Sequence, residues 1–343
     1  MKEADYRIVA DGADITSMIR KRLIKLTVQD SAGEASDTVA IELDNRDNLI
    51  RLPPTGAGLQ VWMGEADALV YKGFYEVDEL EEPLDDQALV IHGKAAKMKS
   101  TIKAPRDASH DEVTLGALVA QIAERNGYQA AVAPALADHL FQHIDQRAES
   151  DMNLLTRLAR ELDAVAKPIG ERLVVVPKGE AKTVSGQALQ TVVIDDPQNS
   201  SGRVVIQDRN DYGQALANWF SEAEQRKVPV VVGLVDGAVA VLGDAAQLPS
   251  EGEAPSRYVI RKTYTDEKSA KEGAVAQLKK LLRGKSTMSL VRPLMPSIVA
   301  EGRLDVRNHR TSANQLWQIE SVTHVIGSGE VASSTMECVI PAK

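Results

Sequence analysis

Hydrophobic and polar residues alternate over much of the first hundred positions. Ile24, Leu26 and Val28 interleave with Lys25, Thr27 and Gln29, and Val39, Ile41 and Leu43 with Ala40 and Glu42. A period of two belongs to a strand with one buried face. Leu59, Val61 and Met63 repeat it, and Leu69–Val77 and Ala88–His92 supply two more candidates. Ser31–Ser36, with Gly33, has the composition of a hairpin loop. About six successive strands with one apolar face predict a closed or nearly closed antiparallel barrel, because closure removes unpaired edges.

The period then changes to that of a helix. Thr114 is placed to cap one with Leu115, Leu118, Ile122 and Ala123 on one side, and Gly127 stands at its C-terminal end. Phe141–Gly179 reads as strand, helix and hairpin in succession. Ser150 or Asp151 caps the helix, and Leu155, Leu158, Leu162 and Val165, with Leu154 beside them, form its apolar face. Pro168 rules out further helix, and Gly170-Glu171 turns the chain into the strand Leu173–Val176. Small polar residues from Gly179 to Gln187 suggest a linker. The strand pattern returns at Val192–Ile194, Arg203–Gln207, and Val228–Val235 with Ala238–Leu242 across Asp236-Gly237, a hairpin signal. Gly243–Ser256 reads as a loop. A long helix over about Asp266–Arg283 buries Ala270, Ala274, Leu278, Leu281 and Leu282, with Lys279, Lys280 and Arg283 favoured by the helix dipole and Gly284 to end it. Strands near Thr287–Val291, Ile298–Val306, Leu316–Ile326 and Glu330–Ile340 complete the pattern.

The predicted class is therefore α+β and mostly β: an N-terminal barrel in 1–100, a small α+β domain in 101–180, and a second barrel carrying one long helix in 181–343. At 343 residues, more than one core is expected. Aromatics are only 4%, so those cores must be built from Val, Leu, Ile and Ala. Cys338 is alone, which excludes an intrachain disulfide and suits a reducing compartment. The N-terminal residues lack the apolar region of a signal peptide, and no run approaches the ~20 apolar residues of a membrane span.

Charge is uneven. Residues 1–100 hold 12 basic and 19 acidic side chains (net −7), 101–180 hold 9 and 12 (net −3), and 181–343 hold 19 and 18 (net +1), giving −9 in all. The acidic chain lacks the basic stripe that sequence-independent nucleic-acid binding requires, and no specific nucleic-acid binding is expected. Seven of the eleven residues from Glu76 to Asp86 are acidic, Glu79, Glu81, Glu82, Asp85 and Asp86 among them. A solvated loop and strand end is the first reading, and a partner-facing or lumen-facing surface the second.

Catalytic and cofactor motifs are missing. Gly284-Lys285-Ser286 ends like a phosphate-binding loop, but position 279 is Lys and a helix precedes it where a strand is required. His139 and His143 are four apart without the Glu of a zinc protease motif, because Leu140 follows His139. There is no Gly-x-Ser-x-Gly elbow. Cys338 sits in an apolar run and reads as a core residue. The pattern predicts no catalytic, cofactor-binding or metal site, and no cofactor.

Asp145, Gln146, Glu149, Ser150, Asp151, Leu155, Arg157, Leu158 and Ala159, then Gly170, Leu173, Val175 and Pro177, resemble the signature of the phage late control D protein family. Proteins of that family form the baseplate hub of contractile tails, and the fold recurs in the N-terminal part of type VI secretion spike proteins. The resemblance implies a structural role: a homotrimer of two tube-like barrels per chain, joining a hexameric tail tube to a separate trimeric central spike. It implies further contacts with other baseplate proteins and a tape-measure protein, and a place in a virion or tail-like particle assembled in the bacterial cytoplasm. Two other classes stay open, a β-barrel ligand-binding module of a surface protein and a tail-associated cell-wall hydrolase. The first calls for ligand-stacking aromatics and the second for a catalytic acid in a cleft.

Overall fold

The computed structural model describes residues 4–33, 36–84, 87–95, 100–169, 171–179, 188–206, 212–235, 238–243 and 256–341. The N-terminal part holds β1 (Ala4–Ala10), β2 (Ala13–Asp14), α1 (Thr16–Ile19), β3 (Leu23–Ser31), β4 (Thr38–Asp44), β5 (Gly58–Glu65), β6 (Ala68–Glu81) and β7 (Ala88–Lys94). The strands pair antiparallel in the order β3-β4-β7-β6-β5-β1-β2. Ile8 of β1 and Leu26 and Val28 of β3 share one core with Ile41, Val61 and Leu89. The sheet therefore curls until its first and last long strands face the same apolar interior.

Two irregularities interrupt the alternation. The register shifts between Leu23 and Lys25, so Leu23 turns inward and Ile24, expected inside, is 36% exposed. In β6, Gly73 faces Val61 and Tyr71 faces Trp62, which leaves Lys72 as an extra residue. A bulge of this kind re-aims one side chain.

The middle part holds α2 (Ser100–Lys103), β8 (Pro105–Thr114), α3 (Leu115–Asn126), β9 (Gln129–Val132), α4 (Pro134–Ala137), β10 (Leu140–Ser150), α5 (Asp151–Glu161), β11 (Ala164–Ile169) and β12 (Arg172–Pro177). β8 and β10 form an antiparallel ribbon, and β11-β12-β9 a small mixed sheet with β12 parallel to β9. Leu118 and Ile122 of α3, Leu154, Leu155 and Leu158 of α5, and Leu173 and Val175 of β12 make its core. Thr114 caps α3, its Oγ1 accepting from Ala117 N at 3.2 Å, and Gly127 closes the helix at φ 67°. The helix α5 stops earlier than its apolar spacing predicts. Glu161 is its last residue, Leu162 is the C-cap, Asp163 has φ 51°, and Val165 lies in β11. Gly170, in the expected turn, falls outside the described residues, as do 180–187 of the expected linker.

The last part holds β13 (Thr191–Ile194), β14 (Ser201–Ile206), β15 (Tyr212–Ser221), β16 (Arg226–Val235), β17 (Ala238–Gly243), β18 (Ser256–Tyr264), α6 (Glu267–Arg283), β19 (Ser286–Pro293), β20 (Arg303–Val306), β21 (Leu316–Gly327) and β22 (Ser333–Val339). Its pairing departs from the sequence reading. β16, β17 and α6 were expected within the second barrel. They instead form a separate unit, the four-stranded sheet β17-β16-β15-β18 with α6 laid on Ala215, Ala217, Val230 and Val232. Small residues on both sides, Ala270 and Ala274 on α6, let helix and sheet approach closely. The remaining strands surround another core, with Met288, Leu304, Trp317, Ile319, Val322 and Cys338. Asp236-Gly237 lies outside the described residues, while its flanks pair antiparallel at Val235 and Ala238.

One strand belongs to both β regions. β21 pairs with β22 and β20 on its own side and with β3 of the N-terminal region, from Ser321 opposite Ser31 to Gly327 opposite Lys25. A single 13-stranded sheet thus runs through two apolar cores.

Candidate functional site

The sequence singles out the start of α5, and the structure brings most of those residues into one polar knot. β10 carries Asp145 and Gln146, then shifts register before Glu149, with Ala148 at φ 45°. This bulge delivers Ser150 to the N-cap, where its Oγ accepts from Asn153 N at 3.2 Å. Asp151 is therefore not the cap but the first helical residue, and its carboxylate points inward. It accepts from Arg125 Nε at 3.1 Å and Nη2 at 2.8 Å, from Asn126 Nδ2 at 2.9 Å and from Gln146 Nε2 at 3.0 Å. Burial on its own pushes the Asp151 carboxyl up, and the bonds from Gln146, Asn126 and Arg125 more than reverse this, holding it below the ordinary range.

Arg157 closes the outer side of the knot. Its Nε and Nη2 bond the two Glu149 oxygens at 3.1 and 2.8 Å, and Nη2 also reaches Asp145 O at 3.1 Å. Leu155 and Leu158 point the other way, into the core, and Pro177 ends β12 opposite Ala164. The knot locks β10, α3 and α5 together. Every polar contact in it joins one of these three elements to another or fixes the turn between β10 and α5. Sequence reasoning missed Arg125 and Asn126. The only local hint was a cation and an amide in the last turn of the preceding helix.

The other candidates disperse. His139 and His143 are not on a helix: His139 Nδ1 lies 2.5 Å from Glu272 Oε2 of α6, and His143 sits on β10 between Asp111 at 2.5 Å and Asp145 at 3.2 Å. Hydrogen bonding to Asp111 raises the pKa of the exposed His143. Among the described residues no group of His, Cys, Asp and Glu has the geometry to hold a metal ion. Burial raises the Cys338 thiol, as expected of a core residue. The acidic run lies on the outgoing half of β6, where Tyr75 and Val77 face the core and Asp78, Glu79, Glu81 and Glu82 are exposed. Asp85 and Asp86 fall outside the described residues.

A second polar cluster, unforeseen from the sequence, sits where the two β regions meet. The bulged Lys72 donates to Pro296 O at 2.9 Å and approaches His324 Nε2 at 3.0 Å, while His324 Nδ1 bonds Ser334 Oγ at 2.8 Å. His324 is fully buried, and burial followed by the charge of Lys72 depresses its pKa to about 3. The imidazole is thus neutral, with its Nε2 between Lys72 Nζ at 3.0 Å and Ile298 O at 3.2 Å.

A family model described as phage tail baseplate hub matches residues 109–330, a span that includes the whole knot. A probable baseplate hub protein of Escherichia phage P2 is 30% identical over 372 aligned positions, covering 96% of this chain and 92% of the relative. The chain belongs to the phage tail baseplate hub family. The hub fold also appears in solved structures. The 43 kDa tail protein of Shewanella oneidensis prophage MuSo2 superposes with a TM-score of 0.67 at 16% identity, covering 99% of both chains. An Escherichia coli component of the type VI secretion system gives a TM-score of 0.54 at 8% identity, over 94% of this chain and 74% of that one. At these identities the likeness is one of fold. For this hub-family chain the fold carries the resemblance, and the knot at α5 is one of the devices that build it.

Proposed function

We propose that this chain is a trimeric adaptor between a hexameric tail tube and a separate trimeric central spike, contacting other baseplate proteins and a tape-measure protein in a virion or tail-like particle. Its domains are 1–100, 101–180 and 181–343; the strands of the first and those of the last that surround the second core act as related tube-like lobes, with the α6 sheet as a separate layer. Membership of the hub family supports this reading, but the observation that carries it is the sheet with two cores. One chain holds two β lobes of unequal sequence, rigidly joined through β3 and β21. Three such chains offer six lobes to a six-fold partner, yet repeat each kind of surface only three times, which a three-fold partner requires. The adaptor binds no cofactor and catalyses no reaction. Light scattering on the purified chain, alone and with its spike, tests the stoichiometry. Three copies are expected, with six related lobes around a three-fold axis in an electron-microscopy map of the particle; a strictly monomeric hub in the assembled particle overturns it.

A further inference from the structure

Two kinds of joint hold this molecule together. The two β lobes share backbone pairing along β3 and β21. The middle part, residues 100–179, shares none. Among the described residues no backbone-to-backbone hydrogen bond leaves it, and both of its sheets are its own. Its apolar core is closed as well, with every buried member between Ile102 and Val175. An open cleft of about 390 Å³, lined by Leu136, Asp138, Leu162, Lys271, Val275 and Lys279, lies between it and α6. A close-packed interface has no void of that size.

Among the described residues, the hydrogen bonds and ion pairs that cross this boundary all involve an ionisable side chain. Toward the β lobes, Lys167 Nζ donates to Ser31 O at 3.0 Å and lies 3.8 Å from Asp37 Oδ1. Lys178 Nζ lies 3.5 Å from Glu320 Oε1, and Glu301 accepts from Gly179 N at 3.3 Å. Toward the α6 layer, Lys262 Nζ lies 2.7 Å from Glu161 Oε2, Arg283 Nη1 donates to Asp163 Oδ2 at 2.8 Å, and His139 meets Glu272. The Lys178 and Lys262 pairs are partly open to water and are screened by salt, whereas the Arg283 pair is more enclosed and is screened less. Exposed pairs of this kind each contribute little.

We infer that residues 100–179 are an ionically latched module, which opens from the lobes and the α6 layer as one folded body when the latch is weakened. The lobes keep their shared backbone pairing and the module keeps its own core, so opening breaks no fold. Polar boundaries between domains allow relative motion of this kind. The effector is ionic: raised salt, or a charged surface that competes for Glu161, Lys178, Lys262 or Glu320.

The test uses the full-length chain carrying paired nitroxide labels, diluted into unlabelled chain so that only distances within one copy are read. Cys338 is buried, so the labels go to introduced cysteines alone. Glu124→Cys with Lys227→Cys spans the boundary, and Lys21→Cys with Glu337→Cys spans the two lobes; all four positions are exposed. Raising NaCl from ~0.15 to ~1 M, or introducing Lys178→Glu with Lys262→Glu, should enlarge a longer-distance population of the first pair by roughly 3- to 30-fold. Adding Glu161→Lys and Glu320→Lys to that glutamate variant should restore the short distance at ~0.15 M NaCl. The second pair should keep one distance throughout, and circular dichroism should show unchanged folded content. A boundary distance that stays fixed in both salt and variant overturns the inference, and so does a charge swap that fails to restore it. A lobe distance that changes in step, or folded content lost on opening, makes the movement something other than a latched module and also overturns it.

Discussion

A carboxylate that is 2% exposed must find its hydrogen bonds inside the protein, and Asp151 finds four, from Arg125, Asn126 and Gln146. Its neighbour Ser150 makes an ordinary cap. The two adjacent residues should therefore respond differently to the same change. Ser150→Ala should cost ~1 kcal/mol, the usual value of a lost cap. Asp151→Ala strands three donor groups and should cost roughly 2–4 kcal/mol, with Arg125 partly open to water and the penalty reduced accordingly. Urea denaturation of both variants checks this, and equal losses would contradict it. Because the Asp151 carboxyl is held low, its contribution is complete above the ordinary carboxylate range and is lost as pH falls through its folded value. His324 adds to the same acid limb. Folded, it stays neutral down to about 3; unfolded, it takes a proton near ~6.5. Between those values the unfolded chain binds more protons, so stability falls with decreasing pH by up to ~1.4 kcal/mol per unit. His324→Gln should flatten this slope in denaturation measured at a series of pH values.

At the scale of elements, much was legible where a periodic pattern met a punctuating residue. Thr114 and Gly127 bound α3 as read, and Asp266 and Gly284 flank α6. The ribbon strand β8 was not legible, because Pro105–Thr114 is mostly polar and shows no alternation. The early end of α5 was hidden for a related reason. Leu162 and Val165 continue the helical spacing, but tertiary pairing sets Asp163 at positive φ, where Arg283 grips its carboxylate. Composition could place Arg283 at a helix end but not in a part-buried ion pair. Nor could spacing show that α6 and β15–β18 form their own layer, since pairing partners are not written in a period of two. The Asp163–Arg283 pair, with Lys262–Glu161 at 2.7 Å, fastens that layer to the middle part. Arg283→Ala should cost roughly 1–3 kcal/mol by leaving a partly buried carboxylate without its charged partner. Faster hydrogen exchange in both α6 and β11 would report the loosened joint, and unchanged exchange would refute it.

For the whole molecule, the relevant feature is the strand shared by two cores. β21 and β3 lie side by side over seven matched positions, Ser321 opposite Ser31 through Gly327 opposite Lys25. Lys72 and His324 rivet the same seam from within. Two bodies joined by a linker answer force by swinging, whereas bodies joined by a ladder answer it by straining. A pull directed along these strands loads every rung at once, in shear, and the seam must fail as a unit. A pull across them loads one rung at a time and peels the seam open. In a phage tail baseplate, the direction of thrust relative to β21 then decides whether the hub acts as a rigid coupling or as a zipper.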